Sequence, residues 1–289
     1  MIFDLADKIL NRPKEVDNPI IEINRLLDFK EPEDELLKTL SIFIKTFPVL
    51  AIFIIPIAFQ DEYKEKLPIV YAAILSLPKV KELLRKTVEK LSDVKGYGRK
   101  GARDAIGLIA FSIIQAMGKL SKEVIYGRVE EDDVVDLLDV AKKAAEIYGD
   151  KHLSIDVDYS RAVFFFLVKR YEESAKIFEE ISNKIESIKE KEKISKLVKL
   201  GLAQSYYYLG RYEDSIEILD SIISSFSKED KRTELIFALY FKGKVLIALG
   251  RKDEGISLIK EAMKVAKDFD IMAYRLMEDE LEKILKGKE

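Results

Sequence analysis

The nine residues RYEESAKIF, Arg170 to Phe178, return about forty residues later as RYEDSIEIL, Arg211 to Leu219. A chain that repeats itself at such a period folds as stacked supersecondary units, because each unit alone cannot bury its apolar face. Alignment widens the echo. The second copy runs LAQSYYYLGRYEDSIEILDSI over 202–222, and a third runs KGKVLIALGRKDEGISLIKEA over 242–262. The first is RAVFFFLVKRYEESAKIFEEI over 161–181. Gly210 and Gly250 suit the left-handed conformation that ends one helix and turns the chain into the next. Small Ser174, Ser215 and Gly255 let the second helix approach the first, and Phe178, Leu219 and Ile259, four residues on, fill the space between them.

The rest of the chain reads as helix. EPEDELLKTLSIFIKTF over 31–47 places Leu36, Leu37, Leu40, Ile44 and Phe47 on one face, with acids at its start. KVKELLRKTVEKL over 79–91 does the same with Val80, Leu83, Leu84, Val88 and Leu91. AIGLIAFSIIQAMGKLSKEVI, from Ala105, is apolar nearly all round and suits the centre of a core. VEEDDVVDLLDVAKKAAEIYG, ending at Gly149, has acids first, lysines late and a natural stop. No alternating run bounded by hairpin dipeptides marks a strand. The expected fold is therefore all-α: an apolar helical N-terminal region over 1–145, and over 146–289 an array of three hairpins with a closing helix, MAYRLMEDELEKILKGKE. In that helix Met272, Leu276, Leu281 and Ile284 are expected to pack. Gly127, 42 residues before Lys169, hints at a decayed fourth unit over 106–146.

The C-terminal half resembles the tetratricopeptide repeat, a helical hairpin with small residues at fixed crossings and a Gly-x-Tyr turn. Gly210-Arg211-Tyr212 matches the turn, Ser215, Leu219 and Ile222 match the downstream positions, and Ala203 and Tyr206 the upstream ones. Copy one has Lys169 in place of the turn glycine; copy three has Lys252 in place of the tyrosine and Gly243 at the upstream small site. The copies are spaced 41 and 40 residues apart, against a family period of about 34. The resemblance implies an α-solenoid whose concave groove is lined by the first helix of each pair and takes peptide segments of other proteins. It places Tyr159, Val163 and Phe166 there from copy one, Leu200, Gln204, Tyr207 and Tyr208 from copy two, and Phe237, Tyr240 and Lys244 from copy three. These are mostly apolar or aromatic, so the Lys/Asn clamp for a terminal carboxylate is not expected. The groove's occupant stays open among a partner segment, a second copy in a homo-oligomer, and the chain's own N-terminal half. Aromatic residues at helical spacing also suit a plain core.

Other function classes find less support. The 49 basic and 52 acidic residues give a formal charge of -3, which argues against bulk attraction to nucleic acid or anionic membrane. The chain has no cysteine, which removes disulfides, thiolate metal sites and a cysteine nucleophile. With one histidine, His152, neither a zinc site nor a catalytic triad can be assembled, and no paired-carboxylate motif is legible. No cofactor, metal site or enzyme activity is expected. The four acids from Glu130 to Asp133 lack the alternating ligands and glycine of a calcium loop and read as a helix start. Many Lys and Glu with no Cys give a thermophile-like composition. The acidic N-terminus is unlike a secretion signal, and a cytoplasmic location is expected. The apolar stretch 40–59 contains Lys45, Pro48 and Pro56 and reads as a buried or broken helix, with peripheral membrane attachment through 47–59 a weaker reading.

One motif keeps a second class alive. GYGRKG, 96–101, fits Gly-x-Gly-x-x-Gly, but a helical segment precedes it where a dinucleotide fold needs a strand. Lys95, Arg99, Lys100 and Arg103 nonetheless crowd this loop, so phosphate or nucleic-acid binding there is the alternative to an interaction scaffold. A solvated loop paired with the acids near 130–133 is the plain reading.

Overall fold

In the computed structural model the described residues are 71–72, 74–76, 80–185, 192–226, 233–267 and 269–286. The segments 31–47 and 40–59 lie outside them. All regular structure among the described residues is helical, and the chain divides into two units, Met1–Val168 and Lys169–Glu289.

In the first unit, α1 (Val80–Ser92) leads through a 3-10 turn (Gly96–Gly98) into α2 (Arg99–Ile125), followed by α3 (Glu131–Tyr148) and α4 (Lys151–Leu167). Helix α2 is central and touches α1, α3 and α4. Its buried Ile106, Ile109, Ile113 and Leu120 explain why its sequence is apolar on several faces. It is long and apolar enough to cross a membrane, yet 56% of its most apolar window is buried inside the protein, as in a core helix. Helix α1 buries Val80, Leu84 and Val88, while Leu83 is exposed and Leu91 half-buried. The acids at the start of α3 lie in its first turn, and Lys81 of α1 bridges to Asp133 at 2.6 Å and Asp136 at 2.8 Å.

The second unit holds α5 (Tyr171–Ile185), α6 (Glu192–Tyr208), α7 (Tyr212–Ser224), α8 (Thr233–Ala248), α9 (Lys252–Ala266) and α10 (Ile271–Leu285). Each helix packs on the next, and α6 also meets α8. The division falls between 168 and 169 instead of 145 and 146, so α4 stands with the first unit and the first sequence copy is shared between the two. The hairpins α6–α7 and α8–α9 each lie within one unit.

The recurrence of RYE[ED]S is a local solution to one junction. Gly210 (φ 74°) and Gly250 (φ 81°) are left-handed. The Gly210 N–H donates to Tyr207 O at 3.1 Å and the Arg211 N–H to Tyr206 O at 2.9 Å; Gly250 and Arg251 bond Ile247 O and Leu246 O at 2.9 and 2.8 Å. This crossed pair satisfies carbonyls that the helix end would leave open. The arginine then pairs with the acid three residues on: Arg170 with Glu173 at 2.7 Å, Arg211 with Asp214 at 2.7 Å, Arg251 with Glu254 at 2.6 Å. Its carbonyl accepts the N–H of the small residue, Ser174, Ser215 or Gly255, which opens the second helix. Gly127 (φ 67°) ends α2 with the same crossed pair, to Val124 O and, through Arg128, to Glu123 O. At the matching place in copy one Lys169 holds φ 65°, the one non-glycine left-handed residue among those described.

Helix α10 closes the second unit with Leu281 and Ile284 buried as expected, but with Ala273 and Met277 in place of Met272 and Leu276, which are 73% and 49% exposed. Its sequence carries two overlapping apolar stripes, and α9 takes the one centred on Met277.

Candidate functional site: an aromatic cleft around Lys244

Helices α6 and α8 are the first helices of their hairpins, and α10 takes the corresponding place after α9. Together they line an open cleft of about 300 Å3, with Tyr207 from α6, Lys244 and Ile247 from α8, and Glu280, Lys283 and Ile284 from α10. The Lys244 Nζ donates to Glu280 Oε1 at 2.9 Å, with the side chains only 14% and 29% exposed. It also stands 5.3 Å from the Tyr207 ring centroid, 5.6 Å from that of Tyr240 and 6.0 Å from that of Phe241, distances at which an ammonium is attracted to an aromatic face.

The rings form a connected set. Tyr207 meets Tyr208 edge-on at 5.0 Å and Phe241 at 6.0 Å; Tyr240 meets Phe241 at 5.2 Å. Tyr208 stacks on Tyr171 of α5 at 4.6 Å, with planes 9° apart. Of the residues singled out in the sequence, Tyr207, Tyr208, Tyr240 and Lys244 are thus brought together. Tyr208 is 44% exposed, but Tyr240 is only 4% exposed and serves the core beneath the cleft instead of its surface. Gln204 is half-buried one turn before Tyr208 on α6, and Leu200 is buried. Tyr159 and Phe166 are half-buried on α4, in the first unit.

Burial by itself would lower the pKa of the Lys244 ammonium, but the Glu280 hydrogen bond and the neighbouring Tyr240 and Tyr207 outweigh it and raise the group above its ordinary value. Burial pushes the Tyr240 hydroxyl up to about 12 and raises that of Tyr207, with Lys244 pulling each back. Lys244 therefore stays charged at neutral pH, which disfavours it as a Schiff-base nucleophile or general base. The cleft offers the Tyr207 ring, the paired and mostly buried Lys244, and the more exposed Lys283. A further cleft of about 490 Å3, beside α7 and α9, is edged by the Lys242–Asp220 and Arg251–Glu254 pairs, whose charges already satisfy one another.

Sequence reasoning did not single out Glu280 or Phe241. The signal for Glu280 was its place on a helix that follows the third hairpin as a first helix follows the second; reading α10 only as a cap hid it.

In the first unit the basic residues lie where the sequence put them, on the α1–α2 turn. Lys95, Arg99 and Lys100 are exposed, whereas the Arg103 Nε donates to Tyr148 O at 2.6 Å. Helix α1, not a strand, precedes GYGRKG, so the dinucleotide context is missing. The acids of α3 that were expected to pair with this loop include Asp133, which Lys81 holds instead.

No protein-family model matches the sequence, and no curated protein matches it. The solved structures it is similar to include two of the nearly identical TPR-like repeats of a protein described as a Podosopora anserina kinesin light chain. One, of a variant, is 12% identical with a TM-score of 0.44, over 65% of this chain and 96% of that one. The other is 13% identical with a TM-score of 0.43, over 66% of this chain and 98% of that one.

Proposed function

We propose that the protein is a non-catalytic interaction scaffold that holds an apolar or aromatic segment of a partner protein against the cleft of the second unit. The observation that carries this reading is the convergence of α6, α8 and α10 on one open cleft walled by Tyr207, Lys244 and Ile247. Aromatic rings held rigid by their neighbours give contact area at little further entropic cost, which is why such side chains dominate binding energy at interfaces. The hairpin architecture, which resembles that of the tetratricopeptide repeat, supports the same reading. Tyr208 does not line the cleft but meets Tyr207 beside it; we assign it as an edge contact because its ring is presented to solvent while stacking on Tyr171 fixes its plane.

Peptides selected from a random display library on the full chain test this directly. Enrichment of apolar and aromatic sequences is expected, with Tyr208→Ala weakening them about tenfold or more and leaving the helical circular dichroism unchanged. Failure to select any peptide, or equal binding by Tyr208→Ala and Tyr207→Ala, would sink the reading. Sedimentation of the peptide-free protein reports whether a second copy occupies the cleft.

A further inference from the structure

We propose that the turn between α1 and α2 binds single-stranded nucleic acid, with Lys95, Arg99 and Lys100 on its phosphates and Tyr97 stacked on a base. Tyr97 is 110% exposed by reference to an extended chain, so its ring contributes almost no packing to the fold. It stands between Gly96 and Gly98, whose lack of side chains leaves both of its faces open. An aromatic ring ordinarily buries a large apolar area; a bare one amid cations has the form of a stacking platform for single-stranded bases.

The cations are unspent. No carboxylate among the described residues is within ion-pair distance of Lys95, Arg99 or Lys100, and most of the nearby acids are committed elsewhere. Asp133 and Asp136 hold Lys81, Glu82 holds Lys86 at 3.2 Å, and Glu89 holds Lys143 at 3.3 Å. Asp150 accepts the Leu153 N–H at 2.8 Å as the cap of α4. Asp93, two residues before Lys95, and Asp104, at the edge of the cleft, are the remaining acids beside the patch. The turn faces the Tyr148–Asp150 turn across a cleft of about 670 Å3, and Arg103, bonded to Tyr148 O and lying 5.5 Å from the Tyr148 ring centroid, forms its wall. A cleft of that volume admits a flexible strand. An acidic peptide would have no use for a ring open on both faces, and a membrane surface would favour apolar neighbours for Tyr97 where glycine and cations stand.

Fluorescence anisotropy with a labelled single-stranded oligonucleotide of about 15 nucleotides tests the proposal on the full chain. Binding at low salt is expected, falling with a log–log salt slope of about -2 for three phosphate contacts. The combined Lys95→Gln, Arg99→Gln and Lys100→Gln variant should lose that binding. Tyr97→Ala should weaken it about tenfold while keeping the slope. All four side chains are exposed, and circular dichroism verifies that the variants fold. Absence of binding at low salt overturns the proposal, as does an unchanged affinity in Tyr97→Ala. Equal competition by polyglutamate or by phosphatidylserine vesicles also overturns it, since the patch would then be a general anion or membrane contact.

Discussion

The α6–α7 and α8–α9 hairpins correspond position for position, yet their helices cross in two different ways. In the first, the Ser215 Oγ donates to Ala203 O at 2.8 Å, so a short polar side chain stands between the backbones and bonds one of them. In the second, Gly243 and Gly255 occupy those places, and a methyl group on Gly255 would lie 2.5 Å from Gly243 O and 2.5 Å from Ile247 Cγ1. One crossing is propped by a hydrogen bond; the other is closed backbone on backbone. A small residue at a repeat position therefore carries two meanings, and only the partner residue tells which applies.

Gly255→Ala should separate the two crossings most sharply. No flexible side-chain end can yield to the new methyl, because one of its neighbours is backbone, and a loss of about 3 kcal/mol is expected in urea denaturation. Ser215→Ala keeps the space and removes only the bond, at about 1 kcal/mol; a loss as large as that of Gly255→Ala would erase the distinction. The turns, by contrast, should behave alike. Gly210→Ala and Gly250→Ala meet no atom within 4 Å, so each should cost about 1 kcal/mol from backbone strain alone. Unequal losses would show that the turns differ in ways their shared hydrogen bonds conceal. Lys169, left-handed without being glycine, gives the converse: Lys169→Gly should raise the unfolding free energy from urea denaturation by about 0.5 kcal/mol.

The last effect concerns alkaline pH and is shared by tyrosines of α6 and α8. Tyr240 is raised from 10.0 to about 12 in the folded protein, and Lys244 is raised as well. A raised folded pKa means stability fully present below the unfolded value and lost as pH rises through the folded one. Urea midpoints should accordingly fall between about pH 10 and the folded values, and Tyr240→Phe should flatten part of that fall. An identical alkaline profile in the variant would remove Tyr240 from the account.

What could be read from the sequence followed local constraint. Gly210, Gly250 and Gly149 were legible as helix stops because left-handed backbone has few tenants, and Ser215 and Gly255 as crossings because little else fits. Burial on a helix with two apolar stripes was not legible. Met272 and Leu276 fit the period as well as Ala273 and Met277 do, and only the shape of α9 selects between them. For the same reason Tyr240 could be placed on the inner side of α8 while its depth, 4% exposed, could not. The division at Val168 left no mark in composition, since Lys169 and the residues around it keep the pattern of the repeat.

The aromatic set around Lys244 has an optical consequence. The chain contains no tryptophan, so its near-ultraviolet emission comes from tyrosine alone, and several of the 13 tyrosines belong to one cluster with neighbouring rings at 4.6 and 5.0 Å. Rings so close and so fixed couple their transitions, and their near-ultraviolet circular dichroism depends on that fixed geometry. The cleft thus carries its own chromophore, and an occupant that turns Tyr208 away from Tyr171 announces itself without a label.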